Sequence, residues 1–177
     1  MSVTDYVFRR VLIVITNAFM GMPPVVVGLF VYLMLSRSGP LGELGWLFRP
    51  EAMVVAQVVL ITPIVVALSR QIVEDLWAQL GDQLRSLGCS PLRAVPTLLR
   101  EGRWSLLTVV LAGFGRSVSE VGAIIIVGGN IAHVTRTMTT AIALETSKGD
   151  LPLALALGLI LILIALLVNV AADVVKT

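Results

Sequence analysis

The sequence is poor in charge. Asp, Glu, Lys and Arg make up only 14% of its 177 residues, where a soluble domain carries roughly a quarter, and its mean hydropathy reaches +0.97. That balance excludes an ordinary soluble domain. A single cysteine rules out an internal disulfide, and one cysteine with one histidine cannot complete a Cys/His zinc site. The nucleophile-elbow pattern G-x-S-x-G is missing, so an intramembrane serine hydrolase would have to pair Ser117 or Ser119 with His133, which the hydropathy pattern sets near opposite depths. The pI of about 9.1 reflects a net charge of only +2, carried by scattered basic residues without the basic stripe of a nucleic-acid surface. Arg9 and Arg10 precede an apolar run, as in a signal peptide. The run exceeds the usual h-region of about 7–15 residues and lacks an A-x-A cleavage pattern, so it reads as a span.

What the sequence has is apolar length. Val11–Ser36 and Leu151–Ala172 are uncharged and long enough for a bilayer core, which takes about 20 residues. Ala52–Ser69 is shorter but also uncharged, and the stretch 104–127 is apolar apart from Arg116 and Glu120. The expectation is an all-α integral membrane protein in one domain over 1–177, with about four membrane helices (11–36, 52–69, 104–127, 151–172) and a polar loop at 70–103. Helix breakers lie inside several spans: Pro23 and Pro24, Pro63, and Gly113, Gly115 and Gly122. They read either as packing kinks or as bends around a pathway.

The loop is ordered by its own chemistry. Val73, Leu76, Leu80, Leu84 and Leu87 recur at helical spacing, which predicts an amphipathic helix. Gly88 reads as its left-handed stop, and Ser90 and Pro91 as the N-cap and first residue of a second helix. In that helix Leu92, Val95 and Leu99 form one side, with Arg93 and Arg100 exposed. The segment from Arg70 to Arg103 holds five arginines, and loop arginines mark the cytoplasmic side. Counting spans outward places Arg9, Arg10 and Lys176, and so both termini, on that side as well. Such a hairpin either connects spans at the interface or docks into a partner's cleft.

The loop resembles the cytoplasmic loop of type I ATP-binding-cassette importer permeases, with its pattern E-A-A-x-x-x-G. Asp82 takes the Glu position and Gly88 the Gly position, while Gln83 and Leu84 replace the alanines. "LGCSP" is similar to the "LGAS" run of oxyanion permeases. The family's later I-x-L-P is not kept, since Leu98, Leu99, Arg100 and Glu101 stand there. Downstream, "FGRSVSEVGAIIIVGGNI" (114–131) and "TRTMTTAIALETSKGDLPLALAL" (135–157) resemble molybdate and, most closely, tungstate permeases, as does "MGMPPVVVGLFVYLMLSRSGPLG" (20–42). The resemblance runs from about Arg9 to the end. Such permeases have one or two further spans before that point, so the chain reads as a partial or N-terminally short version of the transmembrane domain.

The resemblance implies a plasma-membrane permease subunit of an ATP-driven tungstate or molybdate importer, working by alternating access among lipid. Its partners would be ATPase subunits that bind the ATP, a second permease copy, and an extracytoplasmic oxyanion-binding protein. This chain itself would hold no cofactor, do no catalysis and bind no nucleic acid. Asp82, Gly88, Cys89, Ser90, Pro91, Leu92 and Arg93 would contact the ATPase. Cys89 reads as a small packing residue, because no catalytic partner is evident. Arg116 and Glu120, at i and i+4 in a span, form either a self-neutralising packing pair or a pathway element that offers positive potential to an oxyanion. Ser117, Ser119 and Asn130 are candidates to line the route, and Gly128–Gly129 predicts a sharp turn or close helix approach. The 133–150 segment reads as an external helix or re-entrant piece, with His133 a solvated loop residue. The alternative is a membrane scaffold or assembly subunit that does not transport.

Overall fold

Proline placement sets where the helices begin. In the structure, a computed structural model that describes residues 11–176 apart from 12, 15 and 17, and of 171–176 only the backbone, three helices start with proline at N1. Its fixed φ suits that position and its missing N–H is no loss there. Arg9, Arg10 and the Lys176 side chain lie outside the described residues.

Among the described residues past 20 there are seven α-helices, α1 Pro24–Leu35, α2 Pro50–Ser86, α3 Pro91–Glu101, α4 Arg103–Val118, α5 Gly122–Gly128, α6 Met138–Lys148 and α7 Leu151–Lys176, with a 3-10 turn at Gly42–Leu44 between the first two. No strand occurs among the described residues, and the all-α membrane architecture stands. The span boundaries differ from the expected ones in three places. The run at 11–36 is broken at 21–23, where Pro23 is extended and leaves α1 only 12 residues long. The stretch 104–127 divides into α4 and α5, bent by 60°. Conversely, the expected boundary at 69–70 vanishes: α2 is one 37-residue helix through Pro63, about 55 Å long against a bilayer core of about 30 Å. The amphipathic half of the loop is therefore a continuous helical extension of a span. Among the described residues two helices, α2 and α7, are long and apolar enough to cross a membrane, and α4 with α5 makes a third if the bent pair counts as one.

The core is a contact of α1, α2 and α5. Val27, Val31 and Leu35, spaced four apart, are buried with Ala52, Met53 and Ala56 of α2 and Ala123, Ile124 and Val127 of α5. The opposite side of α1 (Val26, Leu29, Phe30, Leu33) is exposed and equally apolar. Helices that are apolar all round are membrane helices, and lipid gives them no hydrophobic drive to pair, so close packing must hold them. Small residues permit it: a Cβ on Gly28 would lie 2.7 Å from Ala123 Cα.

α6 and α7 form a helical hairpin. Gly149, at φ +84°, ends α6, and Asp150 Oδ1 accepts the Leu153 N–H to start α7. The expected external or re-entrant piece before the last span is thus a well-capped helix. Thr137 opens it with a reciprocal capping pair to Thr140.

Candidate functional site

Two places concentrate features that packing alone does not require. The first is the turn between α2 and α3. Gly88 takes φ +74°, as its reading as a left-handed stop required, and the Cys89 N–H returns to the Leu84 carbonyl at 2.9 Å. Ser90 occupies the N-cap position and Pro91 the first helical one, but the Ser90 side chain makes no capping bond. The expected cap therefore fails in one respect, and backbone geometry plus Pro91 shape the turn. Asp82 is almost fully exposed and pairs, among the described residues, with Arg85 at 3.2 Å. Cys89 is free and half-buried.

The apolar side of α3 is also corrected. Ala94 and Leu98 are buried against the rest of the protein, whereas Leu92 is 86% exposed and Val95 and Leu99 are exposed as well. The Gly102 turn decides this, because it brings α3 back onto Ile72 and Leu76 of α2 and so selects which face turns inward. Leu87 and Leu92, both more than 80% exposed, stand on either side of the turn with Arg93 beside them. Between α2 and α3 a groove of about 420 Å³ is lined by Val73, Trp77, Pro91 and Val95 among others.

The second place is the break between α4 and α5. A helix that ends inside a span leaves carbonyls without intrahelical partners, and these must be satisfied by neighbours. The Ser117 carbonyl accepts the Glu120 N–H at 3.2 Å and Gln57 of α2 at 3.3 Å, and Thr139 of α6 donates to the Glu120 carbonyl at 3.3 Å. Glu120 is buried at 5% exposure and uses both oxygens: Oε1 accepts the Ala123 N–H at 3.3 Å, and Oε2 faces Arg116 Nη1 at 3.5 Å. The Arg116 side chain is 44% exposed. It lies about 20 Å along the helix from Arg103, well inside a span.

The structure thus joins Arg116 to Glu120, as the i, i+4 spacing required, although α4 ends between them. It brings in Ser117 through its carbonyl. The Ser119 hydroxyl turns back to the Arg116 carbonyl at 3.0 Å, at the edge of an apolar crevice of about 260 Å³ between α4 and α7 lined by Phe114, Val118, Leu161 and Ala165 among others. Asn130 is held in the 129–137 loop. It takes φ +50°, accepts from Arg136 at 3.3 Å and donates to the Thr140 carbonyl at 3.4 Å. Among the described interactions it makes none with Arg116 or Glu120. The turn expected at Gly128–Gly129 is present: Gly129 sits at φ +69°, and a Cβ on Gly128 would come within 3.0 Å of Met53. His133 is an exposed loop residue. Sequence reasoning missed Gln57 and Thr139. The available signal for Gln57 was that it is the sole amide in the otherwise apolar run 52–69. Thr139 had no signal, since its partner is fixed only by how α6 folds back.

The chain is 42% identical to the tungstate uptake system permease protein TupB of Campylobacter jejuni, over 82% of this chain and 61% of that protein. It is 37% identical to TupB of Peptoclostridium acidaminophilum, over 86% and 67%. It is 29% identical to the molybdenum transport system permease protein ModB of Azotobacter vinelandii, over 68% and 57%. The chain spans about three-fifths to two-thirds of the length of the curated relatives it matches. Residues 5–177 match the family of binding-protein-dependent transport system inner membrane components, and the chain belongs to that family.

Proposed function

We propose that the chain is the transmembrane part of an ATP-driven importer of tungstate, or of a closely similar tetrahedral oxyanion such as molybdate, coupled to ATPase subunits through the turn at 82–99. The observation that carries this reading is the continuity of α2. One end of this helix leads into the Gly88–Pro91 turn with its exposed Leu87 and Leu92. Towards the other end, Gln57 holds the Ser117 carbonyl at the break, and Ile61 and Val65 pack against Gly113 of α4. A push on the turn would travel along one continuous helix, through Pro63, to the broken span. This suits alternating access, in which binding energy from ATP must reach the pathway mechanically and no covalent chemistry is done in the membrane. ATP would bind to the ATPase partner, not to this chain.

In this reading Asp82, Gly88, Cys89, Ser90, Pro91, Leu92 and Arg93 form the docking surface. The groove between α2 and α3 and the exposed leucines supply apolar area, and Arg93 supplies charge. The turn end lies in the cytoplasm, and two permease copies form the pathway. Arg116 is its electrostatic element, because a half-exposed guanidinium within a span must face water or protein and not lipid. Tungstate as the cargo rests on the two TupB relatives. The release of oxyanion by an extracytoplasmic binding protein follows from the family.

The test is ATP hydrolysis by the permease–ATPase complex in proteoliposomes. Binding protein loaded with tungstate should stimulate hydrolysis, and Gly88→Val, which forces a β-branched residue into a left-handed conformation, should abolish the stimulation while the complex still assembles. No stimulation by tungstate, molybdate or sulfate in the wild type would leave a scaffold role in its place.

A further inference from the structure

We infer that Glu120 is an exchangeable counter-ion: it holds Arg116 while the route is empty and yields it to the tetrahedral dianion in transit. The inference rests on the importer reading and adds a positioning residue to it. Its basis is the asymmetry of the pair. Glu120 is fixed, buried at 5% exposure, with Oε1 bonded to the Ala123 N–H and its own carbonyl held by Thr139. Arg116 is the movable partner, with its side chain 44% exposed and a contact of 3.5 Å, longer than the 2.7–2.9 Å of a tight charge-assisted bond. Gln57 fixes the backbone beside it through the Ser117 carbonyl, so the guanidinium can swing without displacing the break.

An unopposed arginine at this depth would bind a dianion firmly and release it slowly. A fixed carboxylate within reach of the same guanidinium lowers that affinity and takes the arginine back as the anion leaves. Transport requires binding that is favourable enough to enter and weak enough to exit. Glu120 would set that balance, and the Ala123 bond keeps it from following the arginine.

The experiment measures equilibrium binding of sodium tungstate to the purified permease–ATPase complex without binding protein, with sodium chloride at matched ionic strength as control. Glu120→Gln retains an acceptor oxygen for the Ala123 N–H and removes only the charge. It should bind tungstate about tenfold more tightly than wild type, the scale of one unmasked close charge contact, while turnover in proteoliposomes falls. The double variant R116Q/E120Q should lose the gain. Glu120→Asp, which withdraws the carboxylate by one methylene, should tighten binding by a smaller factor and carries the test should E120Q not assemble. A wild-type complex that responds to tungstate, with no tightening in either variant or with tightening that survives R116Q, overturns the counter-ion role alone. A wild-type ATPase indifferent to loaded binding protein overturns the importer reading, and this one with it.

Discussion

Gly28 and Gly115 are both helical glycines in apolar segments, and their surroundings are opposite. A Cβ on Gly28 would meet the backbone of Ala123 at 2.7 Å, where nothing can give, whereas Gly115 has open space around it. Gly28→Ala should therefore destabilise the protein by about 1–3 kcal/mol through overpacking. Gly115→Ala should be neutral or stabilising by up to about 1 kcal/mol, since it removes backbone freedom without a clash. Thermal unfolding in detergent would check the pair, and equal effects would refute the packing account. The contrast also shows what a sequence can say about a glycine. Gly113, Gly115 and Gly122 share the appearance of breakers, yet Gly113 makes room for Ile61 and Val65, Gly122 lies against Val25, and a Cβ on Gly115 would meet only open space. Only the neighbours distinguish them.

At the scale of elements, the helix starts separate local signals that suffice from those that do not. Thr137 and Ser90 both sit at N-caps, and either could be read as a cap from sequence. Only Thr137 accepts the N3 N–H, in a reciprocal arrangement with Thr140, while Ser90 makes no such bond. Thr137→Ala should cost about 1 kcal/mol and speed amide exchange in the first turn of α6. Ser90→Ala should leave exchange in α3 nearly unchanged. Fraying of α3 in that variant would contradict the geometry. The helix periodicities were similarly half-legible. The stripe Val73–Leu76–Leu80–Leu84 is partly buried, but Leu87 is not, and α3 turns Ala94 and Leu98 inward in place of Leu92, Val95 and Leu99. A short helix with apolar residues on two sides has no intrinsic inside. The return at Gly102 onto α2 chooses one.

At the scale of the whole molecule, the arginine-rich 70–103 segment predicts a cytoplasmic turn end, and the protein carries its own reporter. Cys89 is the single cysteine and lies at the turn end of α2. A membrane-impermeant maleimide should label it in inside-out vesicles and leave it unlabelled in right-side-out ones. The reverse pattern would invert the expected topology and overturn the proposed ATPase docking surface. The same scale accounts for the broken spans. A break inside a membrane segment is tolerable only if the freed carbonyls find partners, and here local bonds from Ser119 and Glu120 are joined by Gln57 of α2 and Thr139 of α6. The break is therefore a property of three helices together.

The sequence by itself determined the membrane class, the proline start of α3, the left-handed stop at Gly88 and the Arg116–Glu120 pairing, because each depends on composition or on residues within about one helical turn, and its longer motifs carried the family resemblance. The tertiary structure decided the rest. It made α2 a single rod through Pro63, parted 104–127 by 60°, committed Asn130 to a loop and recruited Gln57 and Thr139 to the break. Those outcomes hinge on which surfaces meet across long chain separations, 60 residues in the case of Gln57 and Ser117, and no local pattern encodes such a meeting.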